Sequence, residues 1–337
     1  NVFGWTADEA TSFALLDAFV DAGFDMVDTA DVYSAWATNH KGGESETVIG
    51  KWLKSRGRRE RVVIATKAGW EIRGFGKGLS KAHIVKSVEA SLARLQTDYI
   101  DLYQSHIDDA ETPFEETLGA YAKLIEQGKV RAIGASNHTA PRLAEALKVS
   151  AEKHLPRFQS LQPLYNLYDR EGFESELQPL CLKEDIGVIP YYALAAGFLT
   201  GKYRSEKDLS LSERGGGIGK KYMNERGMRI LGALDKVAKA KSVTPAQIAI
   251  AWLIARPAVT AAIASATSLK QFAELQKAVT LTLDAESIRL LDQAAEWEAQ
   301  AGLAYAWLAQ GRVQLKDGVP WLDGSPLPHP LHLDEPP

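Results

Sequence analysis

The chain has 337 residues, of which 45% are hydrophobic and 24% are charged, and its net charge of −4 gives no sign of a nucleic-acid or anionic-membrane partner. Its single cysteine, Cys181, excludes an intrachain disulfide and a cysteine-rich metal site, and it indicates a reducing, cytoplasmic compartment. No apolar run approaches the roughly 18 residues that span a bilayer, so we expect no membrane partner.

Seven short apolar runs have the character of strands that are buried on both faces. They span residues 25–28, 62–66, 100–103, 133–136, 160–164, 188–191 and 260–264. Helical patterns lie between them, and several begin with a cap residue three positions before Glu or Gln. These predicted starts are Thr6 with Glu9, Thr112 with Glu115, Thr244 with Gln247, and Ser268 with Gln271. The alternation predicts an α/β fold with a parallel sheet.

Two architectures satisfy this alternation, a (β/α)₈ TIM barrel and an open, doubly wound sheet. We favour the barrel because no Gly-x-Gly-x-x-Gly follows a predicted strand, and because the chain exceeds the roughly 250 residues of that fold. A barrel has a strand ahead of its first helix, and only residues 1–5 are available for it. We therefore expect the first strand to be missing or reduced.

The hydrophobic periodicity ends at about residue 297. We predict a barrel over residues 1–296 and an irregular, proline-rich C-terminal extension over residues 297–337, which holds six of the 14 prolines. The longest internal loop is predicted at residues 202–227, where three consecutive glycines occupy 215–217. In a barrel this loop lies on the catalytic face, where we expect it to be mobile and to act as a lid.

Polar side chains follow successive predicted strands, at the edge where barrels build their active sites. In chain order they are Asp28 and Tyr33, Lys67, His106, Ser136 with Asn137, Gln162, and Tyr191. A lysine cation beside a tyrosine is expected to lower a tyrosine pKa that is ordinarily near 10, and a carboxylate would hold that lysine in place. A neutral histidine can orient a carbonyl group. Each residue alone is typical of a structural role, but together they predict a proton-transfer site.

Several ordered segments resemble the aldo-keto reductases, an NADP-dependent oxidoreductase superfamily with a TIM barrel. The segments are Met26-Val-Asp-Thr-Ala-Asp-Val-Tyr33-Ser, Gly43-Glu-Ser-Glu46, Val63-Ile-Ala-Thr-Lys67, Tyr99-Ile-Asp-Leu-Tyr-Gln-Ser-His106, Ile133-Gly-Ala-Ser136-Asn137, and Tyr191 followed by Gly197-Phe-Leu-Thr-Gly-Lys202. The resemblance implies that Tyr33 is the general acid, that Lys67 and Asp28 tune it, and that His106 orients the carbonyl. The implied reaction is reversible hydride transfer between NADPH and an aldehyde or ketone.

The resemblance also implies a set of cofactor contacts. Ser136, Asn137 and Gln162 would bind the nicotinamide carboxamide, and Tyr191 would stack under its ring. The remaining implied contacts are Leu194, Gly197, Leu199 and Lys202 at the pyrophosphate, with Ser265, Lys270, Gln271 and Glu274 at the adenosine end. This chain departs from common family residues at Ser265, Gln271, Leu275 and Tyr192, and the preference for NADP over NAD rests on the helix that begins at Ser268 together with Lys270.

Two other functions stay open from the sequence. Related barrels serve as non-catalytic, cofactor-sensing subunits of membrane channels, although a sensor has no need of all four catalytic groups. A barrel enzyme that forms a Schiff base through Lys67 would require both a lowered lysine pKa and the absence of a carboxylate that holds the lysine as a cation. Trp5, Trp36 and Trp70 lie in the predicted loops around the site, and they indicate either an apolar or ring-bearing carbonyl substrate or ordinary aromatic packing. No metal site is predicted.

Overall fold

The computed structural model describes residues 2–212, 214–297, 313–316, 319–322 and 325–326. Its main feature is a sheet of six parallel strands that follow one another in chain order. The strands are β1 (Met26–Asp28), β2 (Val63–Ala68), β3 (Ile100–Ser105), β4 (Val130–Ser136), β5 (Ser160–Gln162) and β6 (Gly187–Val188). Six of the seven predicted strands are therefore confirmed.

The seventh predicted strand, at residues 260–264, is wrong as a strand. Its neighbour Val259 forms an isolated parallel bridge with Val188, and the Thr260 amide donates to the Val188 carbonyl over 2.8 Å. The Ile263 amide donates to the Pro190 carbonyl over 3.1 Å. This segment runs beside β6 as a barrel strand would, but its ladder is too short for an extended strand.

The sheet is curled, so that its first and later strands share one interior. Met26 of β1 packs in the same cluster as Leu102 of β3 and Ile263, which lies beyond β6. The Gln162 side-chain amide of β5 donates to the Asp28 carboxylate of β1 over 2.9 Å, although three strands lie between them. An open sheet would keep these side chains apart. The fold is thus of the predicted (β/α)₈ type and not the open alternative.

Twelve α-helices lie among the described residues, and most of them alternate with the strands. They are α1 (Glu9–Asp21), α2 (Glu44–Arg56), α3 (Lys81–Leu95), α4 (Phe114–Glu126), α5 (Ala140–Lys153), α6 (Glu171–Glu174), α7 (Leu177–Lys183), α8 (Gly215–Tyr222), α9 (Glu225–Lys241), α10 (Pro245–Ile254), α11 (Leu269–Leu275) and α12 (Ala285–Ala294). Ile84 of α3 and Leu118 of α4 pack with Ile64 on the outer face of the sheet. Burying each such side chain contributes roughly 1.5–3 kcal/mol.

Two of the predicted helix starts are correct in their cap residue, and two are wrong. Thr244 forms the predicted capping box with Gln247, and Ser268 accepts a hydrogen bond from the Gln271 amide. Helix α1 is instead capped by Asp8, whose carboxylate accepts from the Thr11 amide. At α4 the cap position falls on Pro113, because the Thr112 hydroxyl donates to Asp109.

The predicted loop at residues 202–227 contains ordered helix. A 3₁₀ helix spans Glu206–Leu211, and the three consecutive glycines open α8. Glycine is unfavourable in a helix by roughly 1 kcal/mol relative to alanine, which is why the sequence predicts a loop there. A side chain at Gly215 would overlap the Leu209 backbone, so close packing selects glycine at this position.

Within the predicted C-terminal extension, three short antiparallel strands are described. They are β7 (Val313–Lys316), β8 (Val319–Leu322) and β9 (Ser325–Pro326). The rest of that extension lies outside the described residues, and the division of the chain at residue 297 stays a prediction. In the part of the chain that the structure describes, no helix combines the length and apolar character needed to cross a membrane.

Candidate active site

Five of the predicted site residues lie at the carboxyl ends of neighbouring strands. Asp28 ends β1, Lys67 is the last but one residue of β2, and His106 directly follows β3. Ser136 ends β4, and Gln162 ends β5. Because the strands are parallel and in register, these side chains emerge at one edge of the curled sheet.

Lys67 is the centre of the site. Its Nζ donates to the Asp28 carboxylate over 2.8 Å, to the Tyr33 hydroxyl over 3.0 Å and to the Thr29 carbonyl over 2.7 Å. Its side chain has no exposed surface, and that of Asp28 is 6% exposed. Burial lowers the pKa of Lys67, while the Asp28 carboxylate opposes that change. Because the Asp28 carboxylate holds the Lys67 ammonium, Lys67 does not meet the requirement that a Schiff-base lysine have no such carboxylate beside it.

The pKa of Tyr33 runs opposite to the prediction from sequence. Burial of the hydroxyl and then the nearby Asp28 carboxylate raise the pKa of Tyr33 well above its ordinary value. Burial is the largest of these causes, and it outweighs the nearness of the Lys67 ammonium. At neutral pH Tyr33 is therefore a protonated phenol, with an ammonium 3.0 Å from the oxygen that would become negative.

His106 lies beside Tyr33, with their ring centroids 5.8 Å apart and nearly perpendicular. It is 8% exposed, and burial together with the Lys67 charge lowers the pKa of its imidazole well below the ordinary value. Its Nδ1 is buried without a hydrogen-bond partner among the described residues. The ring is therefore neutral at physiological pH, with one N–H available to a ligand.

The residues predicted to bind the carboxamide are brought together beside this cluster. The Ser136 hydroxyl donates to the Gln162 carbonyl over 2.8 Å, and the Asn137 amide donates to the Ser136 hydroxyl over 3.1 Å. The Tyr191 hydroxyl donates to the Asn137 side-chain oxygen over 2.9 Å. Asn137 has a left-handed backbone with φ of 55°, which turns its amide back toward the strand ends.

The residues predicted to contact the pyrophosphate form a second group. Leu194 precedes a 3₁₀ helix, Ala195–Thr200, that contains Gly197 and Leu199. Lys202 follows, and its Cε lies 3.9 Å from the position that a Cβ on Gly197 would occupy.

The residues predicted at the adenosine end form a third group on α11 and the segment before it. Lys270, Gln271 and Glu274 lie on the helix, and Ser265 precedes it. Ser265, Lys270 and Gln271 are exposed. The Gln271 side chain accepts from the Thr267 amide over 2.9 Å, so it braces the start of α11.

The three tryptophans make aromatic contacts beside the predicted catalytic residues Tyr33 and His106. Trp5 contacts Trp36, Trp36 contacts Tyr33, and Trp70 contacts His106. Centroid separations in these pairs are 5.5, 6.1 and 6.2 Å. Trp36 and Trp70 are about half exposed, so both present ring surface next to the proton-transfer residues.

Three further residues, none of them predicted, support the site. Thr29 contributes only its carbonyl, which leaves no signal in the side-chain pattern. Gln104 accepts a 3.3 Å hydrogen bond from Gln162, and it was detectable as a polar residue inside an apolar strand. Asn166 donates to the Tyr192 carbonyl over 3.0 Å and thereby supports the turn that follows Tyr191.

Comparison with known proteins identifies relatives along most of the chain. Residues 2–296 match the model of the aldo/keto reductase family. The uncharacterized oxidoreductase YrpG of Bacillus subtilis is 35% identical over 317 residues, which cover 90% of this chain and 93% of the relative. The aldo-keto reductase YhdN of the same organism is 35% identical over 292 residues, covering 83% and 82%. A probable voltage-gated potassium channel subunit beta of Oryza sativa is 35% identical over 284 residues, covering 82% and 84%.

Proposed function

Since the chain belongs to the aldo/keto reductase family, whose members are NAD(P)H-dependent carbonyl oxidoreductases, we propose that it reduces an aldehyde or ketone with NADPH and that Tyr33 is the general acid. The observation that carries this proposal is the position of Lys67 Nζ, which contacts the Asp28 carboxylate and the Tyr33 hydroxyl at once. The single cysteine favours a cytoplasmic setting for the reaction.

The residues present fit a nicotinamide dinucleotide. Asn137 and Gln162 offer amide groups that match a carboxamide, and Tyr191 offers a ring for stacking. Ala195, Ala196 and Gly197 have left-handed backbones in succession, and the Lys202 side chain beside Gly197 offers a cation for the pyrophosphate. Lys270 on α11 supplies a cation for the 2′-phosphate of NADPH. When bound, the dihydronicotinamide supplies a hydride to the carbonyl carbon.

Tyr33 donates its proton to the carbonyl oxygen as that oxygen gains negative charge. Its raised pKa keeps the proton in place until then. Lys67 stabilises the phenolate left behind, because its ammonium already lies 3.0 Å from the phenol oxygen. Asp28 holds the ammonium in position over 2.8 Å. Positioned acids of this kind contribute roughly 10²–10⁴-fold to a rate.

His106 orients the substrate. A neutral imidazole N–H can donate to the same carbonyl oxygen that Tyr33 protonates, and its lowered pKa keeps the ring neutral. The half-exposed rings of Trp36 and Trp70 lie next to these two residues. We assign them, with Trp5, to the wall that binds the substrate, and this favours apolar or ring-bearing carbonyl compounds.

Turnover with a carbonyl panel tests the function. Purified protein is mixed with NADPH and, in parallel, with NADH, and oxidation is followed by absorbance across aromatic and short aliphatic aldehydes and ketones. We expect turnover with NADPH, a lower kcat/KM with NADH, and a higher kcat/KM for aromatic substrates. Equal efficiency with both cofactors would refute the NADPH preference alone. Cofactor binding without turnover on any substrate would instead support the alternative of a non-catalytic, cofactor-sensing subunit; the rice relative is named as a probable potassium channel subunit.

A further inference from the structure

Asp31 is a buried carboxyl group that the proposed mechanism does not use. It lies between Asp28 and Tyr33 in the chain, and its backbone amide donates to the Lys67 carbonyl over 3.0 Å. Its side chain has no exposed surface, and neither carboxyl oxygen accepts a hydrogen bond in the described part of the chain. The Val32 backbone N–H favours the ionised form without forming such a bond. An ionised carboxylate in this position would be strongly unfavourable.

The charged groups around Asp31 leave it no cation of its own. Glu46 of α2 pairs with Arg94 of α3 over 2.7 Å and also accepts from the Thr66 hydroxyl over 2.6 Å. Lys67 of β2 pairs with Asp28 over 2.8 Å. Both nearby cations are therefore already matched by a carboxylate.

A phenol, Tyr103 of β3, also lies near Asp31. It is fully buried, and its hydroxyl finds no partner among the described residues. The cluster is electrically neutral only if Asp31 carries a proton. Burial first, and then the Glu46 carboxylate, raise the pKa of Asp31 to about 8, which agrees with the charge balance of the cluster.

We propose that Asp31 is a positioning residue that carries a proton at neutral pH, which leaves Lys67 paired with Asp28 alone, and that loss of this proton stops proton donation by Tyr33. Ionised Asp31 would place a second negative charge beside the lysine. The phenolate that Tyr33 must form would then be less well stabilised, and Tyr33 would become a weaker acid. This inference rests on the proposed reduction of a carbonyl with Tyr33 as acid.

The test compares turnover at about pH 7 and about pH 9.5 in wild-type protein and in Asp31→Asn. With its pKa at about 8, Asp31 is mostly ionised at the higher pH, and we expect wild-type kcat to fall about 30-fold. Asn is neutral at every pH, as the protonated acid is, so the variant should keep its turnover at the higher pH. The exposed Asp98→Asn is the matched control and should show the wild-type fall.

Two outcomes would overturn the proposal. If Asp31→Asn retains the wild-type alkaline fall, another group causes it. If the alkaline fall in Asp31→Asn moves to lower pH, Asp31 is ionised at neutral pH in the wild type. Removing a negative charge near Lys67 would lower the pKa of that lysine, and turnover would then be lost at lower pH.

An infrared measurement needs neither activity nor a variant. In wild-type protein labelled with ¹³C at aspartate carboxyl groups, the carbonyl stretch of a protonated acid should be present at pH 7 and absent at about pH 9.5. Its absence at pH 7 would also refute the inference. If wild-type protein shows no turnover but the band is present, the proposed function fails and the protonation state of Asp31 stands.

Discussion

The buried ion pair of Lys67 and Asp28 allows stability and catalysis to be separated. Lys67→Met leaves the Asp28 carboxylate with the Gln162 amide at 2.9 Å and the Tyr33 hydroxyl at 3.4 Å. Asp28→Asn leaves the Lys67 ammonium with two neutral oxygens, at 2.7 and 3.0 Å. Removing one partner of a buried ion pair lowers the free energy of unfolding by roughly 3–5 kcal/mol. Because the remaining hydrogen bonds partly compensate, we expect each single variant to lose about 3 kcal/mol.

The double variant Asp28→Asn/Lys67→Met should lose much less than the sum. With both charges gone no buried ion is unpaired, so we expect a loss of about 1–2 kcal/mol and a coupling of about 4 kcal/mol. Urea unfolding measures the free energy of unfolding of all four proteins. The half-exposed pair of Lys51 and Glu9, 2.6 Å apart, is the control, and its cycle should give less than about 1 kcal/mol.

Turnover should not recover in the double variant, although stability does. Tyr33 would still lack the ammonium that stabilises its phenolate, so its rate should stay as low as that of Lys67→Met. Additive losses of stability would refute the assignment of a strongly coupled buried pair. Recovery of turnover together with stability would show that Lys67 acts only through the fold.

The other predictions concern the acid and the packing of the barrel. Tyr33→Phe should keep cofactor affinity, because its ring packing survives, and should lose roughly 10²–10⁴-fold in kcat; near-wild-type turnover would remove Tyr33 as the acid. Gly50→Ala should destabilise the fold by about 3 kcal/mol in urea unfolding, since the added methyl group would lie 2.7 Å from the Leu95 carbonyl carbon and overlap the backbone of α3. Gly232→Ala, in an equally helical but open position, should be neutral or stabilising by up to about 1 kcal/mol, and equal losses in both variants would contradict this packing argument.

The fold was predictable where local pattern and tertiary structure agree. β2 and β3 are buried along nearly their whole length because helices cover one side and the barrel interior fills the other, so the apolar first halves of their sequences carry the signal directly. Residues 260–264 are also mostly apolar, but they are held beside β6 only by an isolated bridge at Val259 and by hydrogen bonds from the amides of Thr260, Ala261 and Ile263. The sequence of α8 points the other way, because Gly215, the first of its three consecutive glycines, is selected by close approach to Leu209 and not by helix propensity.

The site was predictable in its members and not in its electrostatics. The position of Lys67 near Tyr33 follows from motif order and strand alternation. The direction of the Tyr33 pKa shift does not, because it depends first on how completely the hydroxyl is buried and then on the charge of the nearby Asp28 carboxylate. Asp31 belongs to the same sequence motif as Asp28, and it differs in that its carboxyl oxygens accept no hydrogen bond among the described residues.

The hydrogen bond between Gln162 and Asp28 joins residues that are 134 positions apart, whereas Lys67 and Tyr33 are separated by 34. Contacts between distant residues form late, since the entropy of closing a long loop must be overcome first. Lys67 and Tyr33 can therefore come together when β1 and β2 pair. The Asp28 carboxylate, which orients Lys67, receives its hydrogen bond from Gln162 only after β5 has joined the sheet. A nascent chain that has emerged only through β2 therefore holds Asp28, Tyr33 and Lys67 but lacks Gln162, whose amide fixes the Asp28 carboxylate.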